Sequence, residues 1–236
     1  MASLASMPPL YIDQDKLAAF GTAWFNNGEN LSRTPPHSSG ELGRLFDYTV
    51  GTDLAIFLGG ISIMTPHPNA LMPPHPDCVE VGNVRIVGGV RPQNFDVGYR
   101  PDGVRFAFDS KTLNEKKSIG KNWQNMVNDL ATEATTVHSR FPHAIVAFLV
   151  ACPSPCLTAS VQKPLIETLE RLARRISVDG ADYMAEAIAM VAWNPTDGTI
   201  STDVPVAVPP LRIEKFSAQV ELMYTARYKG LPPHTE

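Results

Sequence analysis

Two acids and a lysine within residues 94–112 (NFDVGYRPDGVRFAFDSKT) have types and spacing that could do chemistry. Phe95 to Arg100 and Val104 to Lys111 read as two strands. Pro101-Asp102-Gly103 lies between them, and Asp-Gly is a strong hairpin signal because the central positions of a tight hairpin turn need positive φ. With Asp102 and Gly103 at the centre of the turn, Asp96 falls directly opposite Asp109. Lys111 is two residues further on, so the pleat puts it on the same face as Asp109. Carboxylates facing each other across a ladder repel. A divalent cation between them would turn that repulsion into a binding site, since Mg²⁺ favours one or two carboxylates plus waters and phosphate oxygens. A lysine beside them could hold or activate a water. Metal, carboxylates and lysine together suit in-line hydrolysis of a phosphodiester.

The same residues also fit an ordinary hairpin. Phe106 and Phe108 fall on the opposite face with Phe95 and Val97, as in a half-buried antiparallel pair whose charges face water. An acid-x-lysine alone is common on surface strands. The added weight comes from the matching register of acid, turn and acid-x-lysine.

Several elements are needed to hold this hairpin in place. Residues 13–27 read as a helix, with Leu17, Phe20, Trp24 and Phe25 on one stripe and Asp13 or Asp15 as cap. Ser38-Ser39-Gly40-Glu41 has capping-box spacing and opens a second helical pattern through Leu42, Leu45, Phe46, Leu54, Phe57 and Leu58, with Gly51 as a possible break. Residues 65–77 (TPHPNALMPPHPD) read as an extended, exposed Pro/His-rich loop containing His67 and His75. Residues 79–90 read as a strand with Glu80 towards solvent. Residues 121–137 form an amphipathic helix with Trp123, Met126, Val127, Leu130, Ala134 and Val137 inward. Residues 143–151 (HAIVAFLVA) are apolar enough for a strand covered on both faces. Helices are expected at 160–176 and 213–228, and a helix running into a strand at 181–193. Near the C-terminus, Tyr224, Arg227, Tyr228 and Lys229 make a basic-aromatic cluster that could meet phosphates, or simply be a helix edge.

On this hairpin the chain resembles the PD-(D/E)xK nuclease superfamily, the fold of many restriction endonucleases and Holliday-junction resolvases. The likeness covers the hairpin and, more loosely, the helix and strand after it, roughly residues 84–152 in all. Phe95 stands where the family has proline, and the literal Pro101-Asp102 occupies the turn. The resemblance implies an α/β fold: a restriction-endonuclease-like αβββαβ core with a mixed central sheet flanked by helices. It implies Asp96, Asp109 and the Ser110 backbone carbonyl as metal ligands, Lys111 as the residue acting on the attacking water, and Mg²⁺ as cofactor with Mn²⁺ as a substitute. Glu41 is the nearest helical acid that could join the metal site, and it is also the capping-box partner. Gln124 fits the polar position such nucleases present from the following helix. The products would carry 5′-phosphate and 3′-hydroxyl ends. A type II restriction endonuclease working on double-stranded DNA as a homodimer is the specific expectation, since each subunit of a two-fold dimer cuts one strand. The alternatives are a repair or recombination nuclease of the same fold and a noncatalytic interaction protein.

Composition sets the frame. A chain of 236 residues, 44% apolar and 19% charged, suggests one globular domain. Within residues 1–236 the organisation is N-terminal helices at 13–60, a nuclease core at about 79–152 and C-terminal additions at 160–228. No run is long enough to cross a bilayer and residues 1–10 do not read as a secretory signal, so a cytoplasmic protein is expected. Cys78, Cys152 and Cys156 are too few for a disulfide framework and lack partners for a zinc site. The net charge of −4 is not a broad positive field. Locally, however, Arg105, Lys111, Lys116, Lys117 and Lys121 outnumber Asp109 and Glu115, and Lys116, Lys117 and Lys121 are candidate DNA contacts.

Overall fold

Six strands form one mixed sheet whose spatial order is the chain order. The computed structural model describes residues 3–206 and 210–234. β1 (Ser62–Met64) runs parallel to β2 (Cys78–Val87). β2, β3 (Pro92–Tyr99) and β4 (Phe106–Thr112) form an antiparallel meander. β5 (Ile145–Pro153) and β6 (Ala187–Trp193) then continue parallel to β4. The helices are α1 (Gln14–Asn26), α2 (Ser39–Phe57), α3 (Ile119–His138), α4 (Ala159–Leu172) and α5 (Ile213–Tyr228). The run from α2 through β2, β3, β4 and α3 to β5 is the expected αβββαβ order in an α/β fold with a mixed sheet flanked by helices.

The helices begin where local chemistry starts them. Asp13 accepts from the Lys16 N–H, and Ser38 accepts from the Glu41 N–H at 3.2 Å, which satisfies donors that a first turn leaves unpaired. Gly51 does not interrupt α2. It lets the helix lie close to the sheet, because a Cβ there would stand 2.4 Å from Val81. Gly43, two turns earlier, sits against Ser110 in the same way. Ser110 meets α2, while the next residue, Lys111, meets Glu133 of α3. Successive strand residues point to opposite faces, so α2 and α3 cover opposite faces of the sheet. α5 shares the α2 side: Phe216 packs on Phe108, and Tyr224 on Phe57.

Four local expectations are corrected. Glu80 does not face solvent. β1 extends the sheet beyond β2, and Glu80 is fully buried, holding Arg100 in a bidentate pair at 2.7 Å. The β3–β4 connection is not a two-residue turn. The ladder stops at Tyr99↔Phe106, Gly103 has φ +131°, and among the described residues the only non-glycines with positive φ are Glu29 and Asn69. The Asp102 carboxylate instead binds the Arg105 guanidinium. Residues 181–186 form no helix before β6. Of the two readings of the Tyr224–Lys229 cluster, phosphate contact gives way to the helix edge: Tyr224 is buried, and Arg227 is used by Glu186 and by the carbonyls of His143 and Ala144.

Candidate functional site

The antiparallel ladder between β3 and β4 covers Val97↔Phe108, Gly98↔Ala107 and Tyr99↔Phe106. This is the register expected from the sequence, and its next pair is Asp96 and Asp109. At that pair the two strands part. β3 continues against β2, with Phe95 beside Val84, and β4 continues against β5, with Asp109 beside Phe148. Both carboxylates therefore stand at a fork in the sheet. Their side chains are in hydrogen-bond contact. Asp96 Oδ2 also accepts from the Ser110 N–H at 3.0 Å. In a strand the N–H and C=O of one residue point to the same side. The Ser110 carbonyl thus points towards the fork rather than towards β5.

Lys111 is held by two acids. Its ammonium lies 2.5 Å from Asp109 Oδ2 and 2.9 Å from Glu133 Oε1, and Gln93 donates to the same Glu133 oxygen at 3.1 Å. Burial works against the lysine's charge, but Asp109 and then Glu133 outweigh it, so its pKa is raised.

A further acid reaches the fork from α2. Asp47 is 7% exposed, lies near the Ser110 side chain, and is close enough to Asp96 for the two charges to repel. Its Oδ1 is buried without a partner. Burial, reinforced by Asp96, pushes the Asp47 carboxyl up to about 8. Burial and the contact with Asp109 push Asp96 up to about 8. Asp109, also buried, is raised to about 6. Four carboxyl groups and one ammonium are thus packed together, and at neutral pH the fork retains protons that solvent-exposed carboxylates would have lost.

The fork opens into a groove of about 1510 Å³. α2 makes one wall, with help from α1. Residues of the 65–69 segment and the Gly82-Asn83 bulge make the other, and Asn94, Asp96, Asp109 and Ser110 lie along its floor.

The other candidate residues lie elsewhere. Glu41 lines the groove, but its backbone serves the helix cap and its carboxylate binds Arg44 at 2.5 Å; the α2 acid at the fork is Asp47. Gln124 is exposed and outside the groove lining; Glu133 is the α3 side chain that reaches the site. Lys116 binds Glu29, Lys117 and Lys121 are exposed, and none of the three lines the groove. The cations that do are Lys16 and Arg44.

Among the described residues no group of three or more His, Cys, Asp or Glu side chains stands ready as a metal cage, and no helix is long and apolar enough to cross a membrane. Comparisons with protein-family models, curated proteins and solved structures gave no match.

Proposed function

We propose that this chain is a Mg²⁺-dependent nuclease that hydrolyses phosphodiester bonds at the β3–β4 fork. The observation that carries the reading is the placement of Asp96 and Asp109 side by side where their strands separate, with Lys111 two residues on. The donor set suits a hard cation. It is all oxygen, carries more negative charge than its one lysine balances, and includes a carbonyl aimed at the gap. A three-sided protein cage is not required, because Mg²⁺ keeps several waters and takes substrate phosphate oxygens as ligands.

Asp96, Asp109 and the Ser110 carbonyl would hold the ion. When bound, the ion supplies Lewis acidity and lowers the pKa of a coordinated water. The chain's own residues do the rest. Lys111 places a fixed positive charge beside the carboxylates, where it can orient a water and offset charge developing on a phosphate oxygen. Glu133 and Gln93 fix the position of that ammonium. The groove walls hold the polynucleotide strand over the floor.

The test is digestion of a large, sequence-diverse, unmethylated DNA with Mg²⁺ and with EDTA, beside Asp109→Asn and Lys111→Ala proteins shown to be folded. The expected result is cleavage in Mg²⁺ only, lost in both variants. Discrete fragments would support the narrower reading of a dimeric type II restriction endonuclease. A smear would support a less specific or structure-selective nuclease. No cleavage of this DNA, nor of branched DNA or RNA, would overturn the proposal in favour of a binding protein.

A further inference from the structure

The carboxylates lie at the bottom of the groove, where Asp47 and Asp109 are each 7% exposed. A scissile phosphate must descend between the α2 wall and the 65–69 segment to reach them. The α2 wall carries an aromatic ring with Arg44 beside it, and the acids Glu41, Asp47 and Asp53 line the same wall. Tyr48 lines the groove and is 54% exposed. Arg44, one helical turn earlier on the same face, and Lys16 of α1 line the groove too; their side chains are 67% and 64% exposed. Each keeps a partly exposed acid as partner, Glu41 for Arg44 and Asp13 for Lys16. Such surface pairs are weak and readily exchanged for a phosphate.

Two exposed cations and an exposed ring lining one groove provide what an unpaired strand needs, charge for its phosphates and a flat face for a base. A paired base offers no free face, since both are stacked on its neighbours. Resting on the nuclease reading above, we infer that this groove takes an unpaired stretch of polynucleotide, with a base stacked on Tyr48 and flanking phosphates near Arg44 and Lys16. Duplex would enter the groove through stretches that open transiently, and most readily where it is frayed, branched or melted.

The experiment is fluorescence anisotropy in Ca²⁺ with labelled 12-nucleotide single strands of DNA and RNA and a 12-base-pair DNA duplex, each checked on a gel for integrity. Wild type, Tyr48→Ala and Tyr48→Phe are compared. The expected result is single-strand binding at least tenfold tighter than duplex binding. Tyr48→Ala should weaken single-strand binding by roughly 5- to 150-fold, the range of one lost base–aromatic stack, and Tyr48→Phe should restore it. Exposure of Tyr48 makes loss of folding an improbable cause, and circular dichroism of each variant checks it. Duplex binding as tight as single-strand binding, or Tyr48→Ala binding like wild type, would overturn the inference. Mg²⁺-dependent cleavage of duplex would leave the nuclease reading standing in that case. Tight, Tyr48-dependent single-strand binding without cleavage of any nucleic acid in Mg²⁺ would support the groove assignment and sink the nuclease reading.

Discussion

Two clusters of buried charge sit in this molecule, and they are built on opposite principles. Around Glu186 one carboxylate is held by two guanidiniums, Arg227 at 2.9 Å and Arg175 at 3.2 Å, with the His138 imidazole at 3.2 Å and the Val146 N–H donating at 2.8 Å, and Asp182 adds a second acid 3.4 Å from Arg175. Arg175 is fully buried, and neither it nor Glu186 lines the groove at the fork. At the β3–β4 fork the balance is reversed: Asp109 and Glu133 hold the single ammonium of Lys111, Asp96 lies against Asp109, and Asp47 comes in from the α2 face. One cluster is neutralised by the protein and closed. The other has an excess of acid, a carboxylate oxygen without a partner, and an opening to a groove. A closed, matched cluster fixes the fold. An open cluster with surplus acid is arranged for a cation from outside.

The largest expected contrast is in stability. Glu186→Ala leaves the Arg227 guanidinium without its acid and Arg175 with only the more distant Asp182, and is expected to cost roughly 3–5 kcal/mol, read by urea denaturation. Asp109→Asn keeps Glu133 as partner for Lys111, so its cost should be within about 1 kcal/mol, while Mg²⁺-dependent cleavage is abolished. Equal costs for the two substitutions would erase the distinction.

A second contrast concerns pH. The Asp47 and Asp96 carboxyls bind protons more tightly in the fold than in the unfolded chain, rising from 3.8 to about 8. Their contribution to stability is therefore fully present below pH 3.8 and is lost as pH rises towards and through 8. Metal-free protein should lose melting temperature over that window. Asp47→Asn should recover roughly 2–4 °C at pH 8.5, the shift that about 1 kcal/mol makes in a chain of this size, and almost nothing at pH 4. Mg²⁺ should stabilise wild type at pH 8.5 far more than at pH 5, because it competes with those protons. A melting temperature independent of pH in EDTA would contradict the surplus of buried acid.

The smallest effect is expected at the wall. Glu41→Ala removes an exposed partner of Arg44 and should change stability by no more than about 0.5 kcal/mol and leave cleavage within about twofold. A large loss would return Glu41 to the metal site.

The sequence made part of the fork legible because turn position and the period of two fix which strand residues face each other. Asp96, Asp109 and Lys111 follow from that alone, even though the connection is wider than a two-residue turn. Asp47 was hidden because α2 was read by its large apolar residues. The face that touches the sheet here is Gly43, Asp47 and Gly51 at four-residue spacing, and an acid between two glycines on one stripe was the available signal. Glu133 lies within the Leu130, Ala134 and Val137 stripe of α3, so an acid inside an apolar face marked it better than the exposed amide of Gln124. Glu80 was misread because alternation with Val79 and Val81 implies a solvent face only where no helix or loop covers it, and Arg100 twenty residues later completes its pair.

The most direct measurement is calorimetric titration of Mn²⁺ into metal-free protein at pH 8, for wild type, Asp96→Asn and a conservative change in the closed cluster, Glu186→Gln, with cleavage assayed on the same samples. The account predicts that wild type and folded Glu186→Gln bind the ion and cleave, while Asp96→Asn does neither. Metal binding and cleavage that survive in Asp96→Asn, or an absence of both in wild type, would contradict it.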